Sequence, residues 1–311
     1  MFTLTTILLL SPLPLSVVAL PHPDANATRA LVPRAVATMS APQLNAYTPY
    51  TQFARAAYCD SSTLKDWSCG KACEANPDFQ VNTAGGNGNS IQNYFVGYWP
   101  SKNTVVVAHE GTDPTAFESV LTDVKLLQRS LDSTLFPGAP SSVTVHDGFA
   151  NEHALTATAI LAAVKNLLSS HSSAGVVVIG HSLGGALAEL DALYLTLNLP
   201  SGTKISGVTY GTPRVGNAAW STYFDSQVTN FTRVNNRDDF IPILPGRSLG
   251  YEHVAQEVHI LGTDSAIVCP GAEDTTDAQC TTSAVPNIFE GNILDHLGPY
   301  QGVWIGTIFC T

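Results

Sequence analysis

Charge is scarce in this 311-residue chain: 13% of residues are Asp, Glu, Lys or Arg, against 44% hydrophobic. A disordered chain carries more charge and fewer apolar residues, so that class is excluded. Basic residues are the scarcer sign. Fourteen Lys and Arg face twenty-five Asp and Glu, a net charge of −11, and the pI is near 5.1. Polyanions demand a basic face, so neither nucleic acid nor an anionic membrane suits as a partner. Past the N-terminus no run is apolar enough to span a bilayer. Internal repeats, heptads and long low-complexity segments are also missing. The nine histidines include no pair four residues apart, the helical spacing used by metal hydrolases. The length allows about two domains of roughly 150 residues, but α/β folds of this size often form one. It is ample for a large core.

What is present begins with a leader. Ile7-Leu8-Leu9-Leu10 opens a short apolar stretch broken by Pro12 and Pro14, and Val17-Val18-Ala19 offers small residues for cleavage. Residues 1–19 therefore read as a signal peptide rather than a stable membrane anchor. Residues 20–34 lack apolar periodicity and read as a pro-segment ending at Arg34 or as a disordered N-terminus. Residues 35–311 read as one domain. Six cysteines, in two groups near the chain ends, suit disulfides in an exported protein, with fifteen pairings open. Asn230-Phe231-Thr232 is a glycosylation sequon.

Val105-Val106-Val107-Ala108 and Val176-Val177-Val178-Ile179 are β-branched runs without polar alternation. Such strands are buried on both faces, as in a parallel sheet covered by helices. Between them, Leu155, Ile160, Val164, Leu167 and Leu168 fall at helical spacing over 154–170, and a second helix follows from about Gly185 to Leu197. Ile205–Tyr210 and Phe231–Asn235 extend the sheet. Strand, helix, strand, helix in that order is an α/β pattern.

Gly180-His181-Ser182-Leu183-Gly184 matches G-x-S-x-G between expected strand and expected helix, the context this motif requires. A serine at the apex of so tight a turn takes a strained backbone, and its neighbours two residues away must be glycine. The turn lifts the hydroxyl off the sheet and puts the Leu183 N–H at the helix start, where partial positive charge faces a developing oxyanion. A serine nucleophile needs a base and an orienting carboxylate, which in this chain order lie downstream. His253, His259 and His296 qualify by position. His259 sits in an alternating strand-like run, His253 in a turn-like stretch, and His296 in a loop near the C-terminus; spacing alone separates the last two only modestly. For the acid, Asp238 and Asp239 follow a strand-like run, and adjacent side chains of an extended segment cannot both face one site.

With Tyr210-Gly211-Thr212-Pro213-Arg214-Val215-Gly216-Asn217, Asp239-Phe240-Ile241-Pro242 and Asp295-His296 added to Gly180–Gly185, the chain resembles the fungal class 3 lipases from about Tyr47 to Cys310. The likeness is strongest to the secreted lipase-like and feruloyl-esterase-like proteins of basidiomycetes. The resemblance implies an α/β-hydrolase fold: a mostly parallel central sheet flanked by helices, with a short lid over the site. It implies Ser182 as nucleophile, His296 as base and Asp239 as acid, leaving His253 structural. It places a second oxyanion donor at Thr112, beside the Leu183 N–H, although Glu110 stands where better-known members carry a basic residue before the glycine. It assigns Pro114, Phe117, Val120 and Leu121 to an amphipathic lid. It pairs Cys59 with Cys310 and Cys69 with Cys73, which leaves Cys269 with Cys280. The end-to-end bridge should contribute most, about 4–5 kcal/mol in the chain-entropy model.

The expected protein is thus a secreted, monomeric ester hydrolase acting through an acyl-enzyme without metal or cofactor, on an acylglycerol or another lipophilic ester at an oil–water interface. A feruloyl-type esterase would use the same framework with a narrower, more polar pocket. An acyltransferase would carry the same residues. A catalytically silent binding protein gives no reason to keep Ser182, Asp239 and His296 together.

Overall fold

The computed structural model describes residues 36–112, 127–273 and 275–310. The expected leader (1–19), the segment 20–34 and the lid residues Pro114, Phe117, Val120 and Leu121 lie outside them.

Nine strands build the main sheet. They are Ala37–Met39 (β1), Gln80–Gly85 (β2), Tyr94–Trp99 (β3), Thr104–His109 (β4), Gly175–His181 (β5), Ile205–Tyr210 (β6), Phe231–Asn236 (β7), Glu257–Gly262 (β8) and Ser265–Cys269 (β9). Their spatial order is β1-β9-β8-β7-β6-β5-β4-β3-β2. The central run β4 to β8 is parallel, while both flanks are antiparallel. The two β-branched runs pair directly, Val105 with Val176 and Val107 with Val178.

Because side chains alternate along a strand, each run feeds two cores. Val105, Val107, Val176 and Val178 point to one face, with the helices Asp147–Ser170 (α1) and Leu183–Asn198 (α2). Val106, Ala108, Val177 and Ile179 point to the other, where Phe53 and Ala54 of the Thr48–Ala56 helix lie with Phe79 and Phe95. Burial on both sides explains why these strands lack polar alternation. Phe53 packs edge-on against Phe79, with ring centroids 4.9 Å apart.

α1 starts earlier than its apolar pattern suggests, because His146 caps it by accepting the Phe149 N–H through Nδ1. Its inward stripe is Phe149, His153, Thr156, Ala157, Ile160, Val164 and Leu167. Leu155, expected on that stripe, is 55% exposed. It lies one residue off the line, and His153 and Thr156 take the inward places instead.

Those polar places have partners. Asp191 of α2 is fully buried and accepts from His109 Nε2 (2.7 Å) and His153 Nε2 (2.9 Å). Burial alone would raise its pKa, but the two imidazole donors overcome it and hold the carboxyl at about 2. This group ties the end of β4 to α1 and α2. Two residues earlier on α2, Glu189 accepts from Trp220 Nε1 (2.7 Å); burial pushes its carboxyl up to about 8.

Among the described residues, Gln128–Ser130, Thr144–His146, Gly216–Asn217 and Tyr251–Glu252 form a second, small antiparallel sheet. Three disulfides join Cys59 to Cys310, Cys69 to Cys73 and Cys269 to Cys280. The first closes a loop across 251 positions and fastens the C-terminus beside the Thr48–Ala56 helix.

Glu189 fixes a pH signature. The folded state keeps its proton up to about pH 8, whereas the unfolded chain releases it above about 4.5. The folded state therefore binds more protons in that window, and stability falls with rising pH by up to about 1.4 kcal/mol per unit for this group. Differential scanning calorimetry between pH 5 and 8 should show Glu189→Gln declining less steeply than the wild type; parallel profiles would contradict this account.

Candidate active site

Ser182 stands between the last residue of β5 and the first of α2, at φ 59° and ψ −128°. A side chain rarely adopts that conformation, so its surroundings must enforce it. The Ser182 N–H donates to the Tyr210 carbonyl at the end of β6 (2.9 Å), and its own carbonyl accepts from Gly185 (2.9 Å) and Ala186 (3.3 Å). A Cβ at Gly180 would collide with the backbone of Gly184 and Gly185. One at Gly184 would collide with the carbonyl oxygens of His109 and Glu110. The glycines of the motif thus let the turn close on itself and let α2 press against the end of β4.

The same contact brings Gly111, just after β4, to the serine. A Cβ on Gly111 would strike the His181 carbonyl and the Tyr58 hydroxyl and lie 3.0 Å from Ser182 Cβ. Thr112 follows, half-buried, and its Oγ1 accepts a hydrogen bond from Gln92 Nε2 (2.7 Å). Leu183 opens α2, where a backbone N–H has no acceptor within the helix. Glu110, the departure from the family's usual basic residue, is 5% exposed and accepts the Asn93 N–H through Oε2 (2.9 Å). Burial pushes its carboxyl up to about 7, so below neutrality the position carries little charge.

On the far side, His296 donates from Nδ1 to Asp239 Oδ2 (2.8 Å), both side chains being fully buried. Asp239 Oδ1 accepts the Ile241 N–H (2.9 Å), fixing the carboxylate. Asp238 is exposed, as divergence of neighbouring side chains requires. His296 lies on a five-residue helix, Ile293–Leu297, rather than in the expected loop. Asn292 starts that helix by accepting the Leu294 N–H (3.0 Å), and its own N–H is held by the Asp238 carbonyl (2.7 Å). The acid and base segments are therefore tied by backbone as well as side chain. Ser182 Oγ and His296 Nε2 are both buried and, among the described residues, make no hydrogen bond to each other or to another group. The structure thus joins acid to base directly and leaves the serine and the second imidazole nitrogen without partners, a link that in ligand-free sites often tightens only around substrate.

Three residues with no role in the sequence reading, His181, Tyr300 and Tyr58, hold the backbone of His296. The His296 carbonyl accepts from His181 Nε2 (2.7 Å) and from the Tyr300 hydroxyl (3.1 Å). His181 Nδ1 in turn accepts from the Tyr58 hydroxyl (2.6 Å). Burial, and then the nearby His296, keep the His181 pKa well below its ordinary value, so its ring is neutral and serves as a donor–acceptor strut. Its place inside the motif, directly before the serine, was the available signal. The rival histidines are spoken for. His253 points Nε2 at the Pro242 carbonyl (2.7 Å), and His259 bridges the carbonyls of Gln279 and Arg237. Among the described residues the cluster with metal-like spacing, Glu257 with Cys269 and Cys280, has both sulfurs in a disulfide. Asn230 is exposed just before β7.

Known proteins resemble this chain in sequence and in fold. A family model described as "Lipase (class 3)" matches residues 106–249. The lipase of Rhizopus niveus is 31% identical over 263 residues, covering 83% of this chain, and the chain spans 64% of that relative's length. A secreted mono- and diacylglycerol lipase of Malassezia globosa is 29% identical over 226 residues, or 72% of each chain. The solved structure of lipase II from Rhizopus niveus matches with a TM-score of 0.77 at 28% identity, covering 89% of this chain and 100% of that one.

The pressed contact at Gly184 is open to test by urea unfolding. Gly184→Ala meets main-chain oxygens that cannot rotate away, so a loss of about 1–3 kcal/mol is expected. Wild-type stability would show that the turn is looser than described.

Proposed function

Since the chain belongs to the fungal class 3 lipase family, we propose that it hydrolyses acylglycerol esters through an acyl-enzyme on Ser182. One observation carries this reading. A fully buried imidazole is bound to a fully buried carboxylate through one nitrogen. Its other nitrogen, and a serine hydroxyl on a strained turn, have no partner among the described residues.

The steps follow from the chemistry of those atoms. Ser182 Oγ attacks the ester carbonyl carbon while His296 Nε2 takes the hydroxyl proton. Asp239 holds the Nδ1–H tautomer and stabilises the imidazolium. The carbonyl oxygen becomes an oxyanion that accepts from the Leu183 N–H and from Thr112. Collapse expels the glycerol oxygen, which leaves with the proton from His296. Water then attacks the acyl carbonyl carbon while His296 Nε2 takes its proton; collapse breaks the bond to Ser182 Oγ, which regains that proton from His296 as the carboxylic acid leaves.

An acylglycerol is the favoured substrate class because relatives are named as lipases and as a mono- and diacylglycerol lipase. The segment carrying His296 also exposes apolar side chains, Phe289 and Leu294, which suits an oily ester better than a polar one. Export fits the three disulfides, and the Malassezia relative is named as secreted. Among the described residues no helix is long and apolar enough to cross a membrane. Residues 35–311 would then be one catalytic domain behind a cleaved leader.

The reading is tested by titrating acid released from emulsified diacylglycerol and, separately, from methyl ferulate. The wild type should cleave the acylglycerol in preference, and Ser182→Ala should lose activity by about 10⁴-fold or more with its melting temperature unchanged. Hydrolysis retained by Ser182→Ala would remove the nucleophile, and preference for the ferulate would move the substrate class.

A further inference from the structure

We propose that Gln92 is a positioning residue for this reaction: its side-chain amide sets the direction of the Thr112 hydroxyl proton toward the oxyanion. The inference rests on the reading of Thr112 as an oxyanion donor.

A hydroxyl has one proton and two lone pairs, and the proton swings about the C–O bond to whichever acceptor is nearest. A useful oxyanion donor must have that freedom removed before the charge develops, because preorganisation is what makes such donors effective. Gln92 Nε2 lies 2.7 Å from Thr112 Oγ1. An amide nitrogen donates and does not accept, so it occupies a lone pair of Thr112 and cannot take the hydroxyl proton. The proton is left for another acceptor, and the oxygen that donates it is polarised by the bond it receives.

The backbone that carries this side chain is itself held. Gln92 is 7% exposed, and its backbone N–H donates to Glu152 Oε1 on α1 (2.9 Å). The next residue, Asn93, donates its N–H to Glu110 Oε2 (2.9 Å), and its carbonyl accepts the Glu110 N–H (2.8 Å). The segment before β3 is thus pinned at successive residues, once to α1 and twice to the residue two positions before Thr112. Upstream, Asn87 Oδ1 collects the N–H groups of Asn89, Ser90 and Ile91, which fixes the turn that delivers Gln92. A merely space-filling side chain would need none of this.

The test uses the full-length secreted enzyme, a soluble p-nitrophenyl ester and a boronic acid that mimics the tetrahedral intermediate. Gln92→Leu frees the hydroxyl rotor and should lower kcat about tenfold with KM within about twofold. Gln92→Glu keeps the shape but offers an acceptor, which captures the Thr112 proton, so it should lose at least as much kcat and bind the boronic acid correspondingly less tightly. Thr112→Val should lose about 10²-fold, and Gln92→Leu combined with Thr112→Val should be no worse than Thr112→Val alone. Wild-type kcat in both Gln92 variants overturns the proposal, as does a double variant whose loss is the product of the two single losses. Wild-type kcat in Thr112→Val overturns it too, but leaves the acyl-enzyme reading intact as long as Ser182→Ala is inactive. If Gln92→Leu does not fold, Gln92→Glu decides by the same two readouts.

Discussion

The site depends on one pinched corner of backbone. Ser182 is held at φ 59° because β5 must end, and α2 must begin, with no room between them. Three strands meet there. The Tyr210 carbonyl ends β6 on the Ser182 N–H, Gly180 and Gly184 pack against each other, and the carbonyls closing β4 press on Gly184. A conformation that costs about 1–3 kcal/mol persists because these contacts determine it many times over. The same closeness puts Gly111 against the serine. Strain at Ser182 and placement of Gly111 are therefore one constraint and not two.

A second layer keeps the base in place without touching its ring nitrogens. His181 and Tyr300 both bond the His296 carbonyl, and Tyr58 bonds His181. All of these groups are buried, so each bond is formed in a medium where losing one would be expensive. The Cys59–Cys310 bridge lies next to Tyr58 in the chain, so the covalent fastening of the C-terminus and the strut under His296 share a neighbourhood. Asp191, with His109 and His153, works similarly beneath β4. A chain this poor in charge spends several of its few ionisable groups inside.

Local pattern made much of this legible. The valine runs announced two-sided burial, and the flanking of Gly180–Gly184 by strand and helix sufficed to single out Ser182. Alternation also forbade Asp238 and Asp239 from sharing a site. What local pattern could not reach was any choice made by tertiary contact. His296 rather than His253 pairs with Asp239, a contact across 57 positions. His181 meets Tyr58 across 123 positions, and His109 meets Asp191 across 82; no periodicity carries such information. Leu155 misled for the converse reason, since an apolar residue at plausible spacing was displaced by polar residues with partners waiting inside.

The central claim is that the Ser182 oxygen is the nucleophile this framework activates. Peptide mapping by mass spectrometry after treatment with a lipophilic p-nitrophenyl phosphonate measures it directly. One phosphonyl group on the peptide containing Ser182, with none after prior heat unfolding, is the expected result. A folded enzyme left unlabelled, or labelled at another residue, would contradict the account.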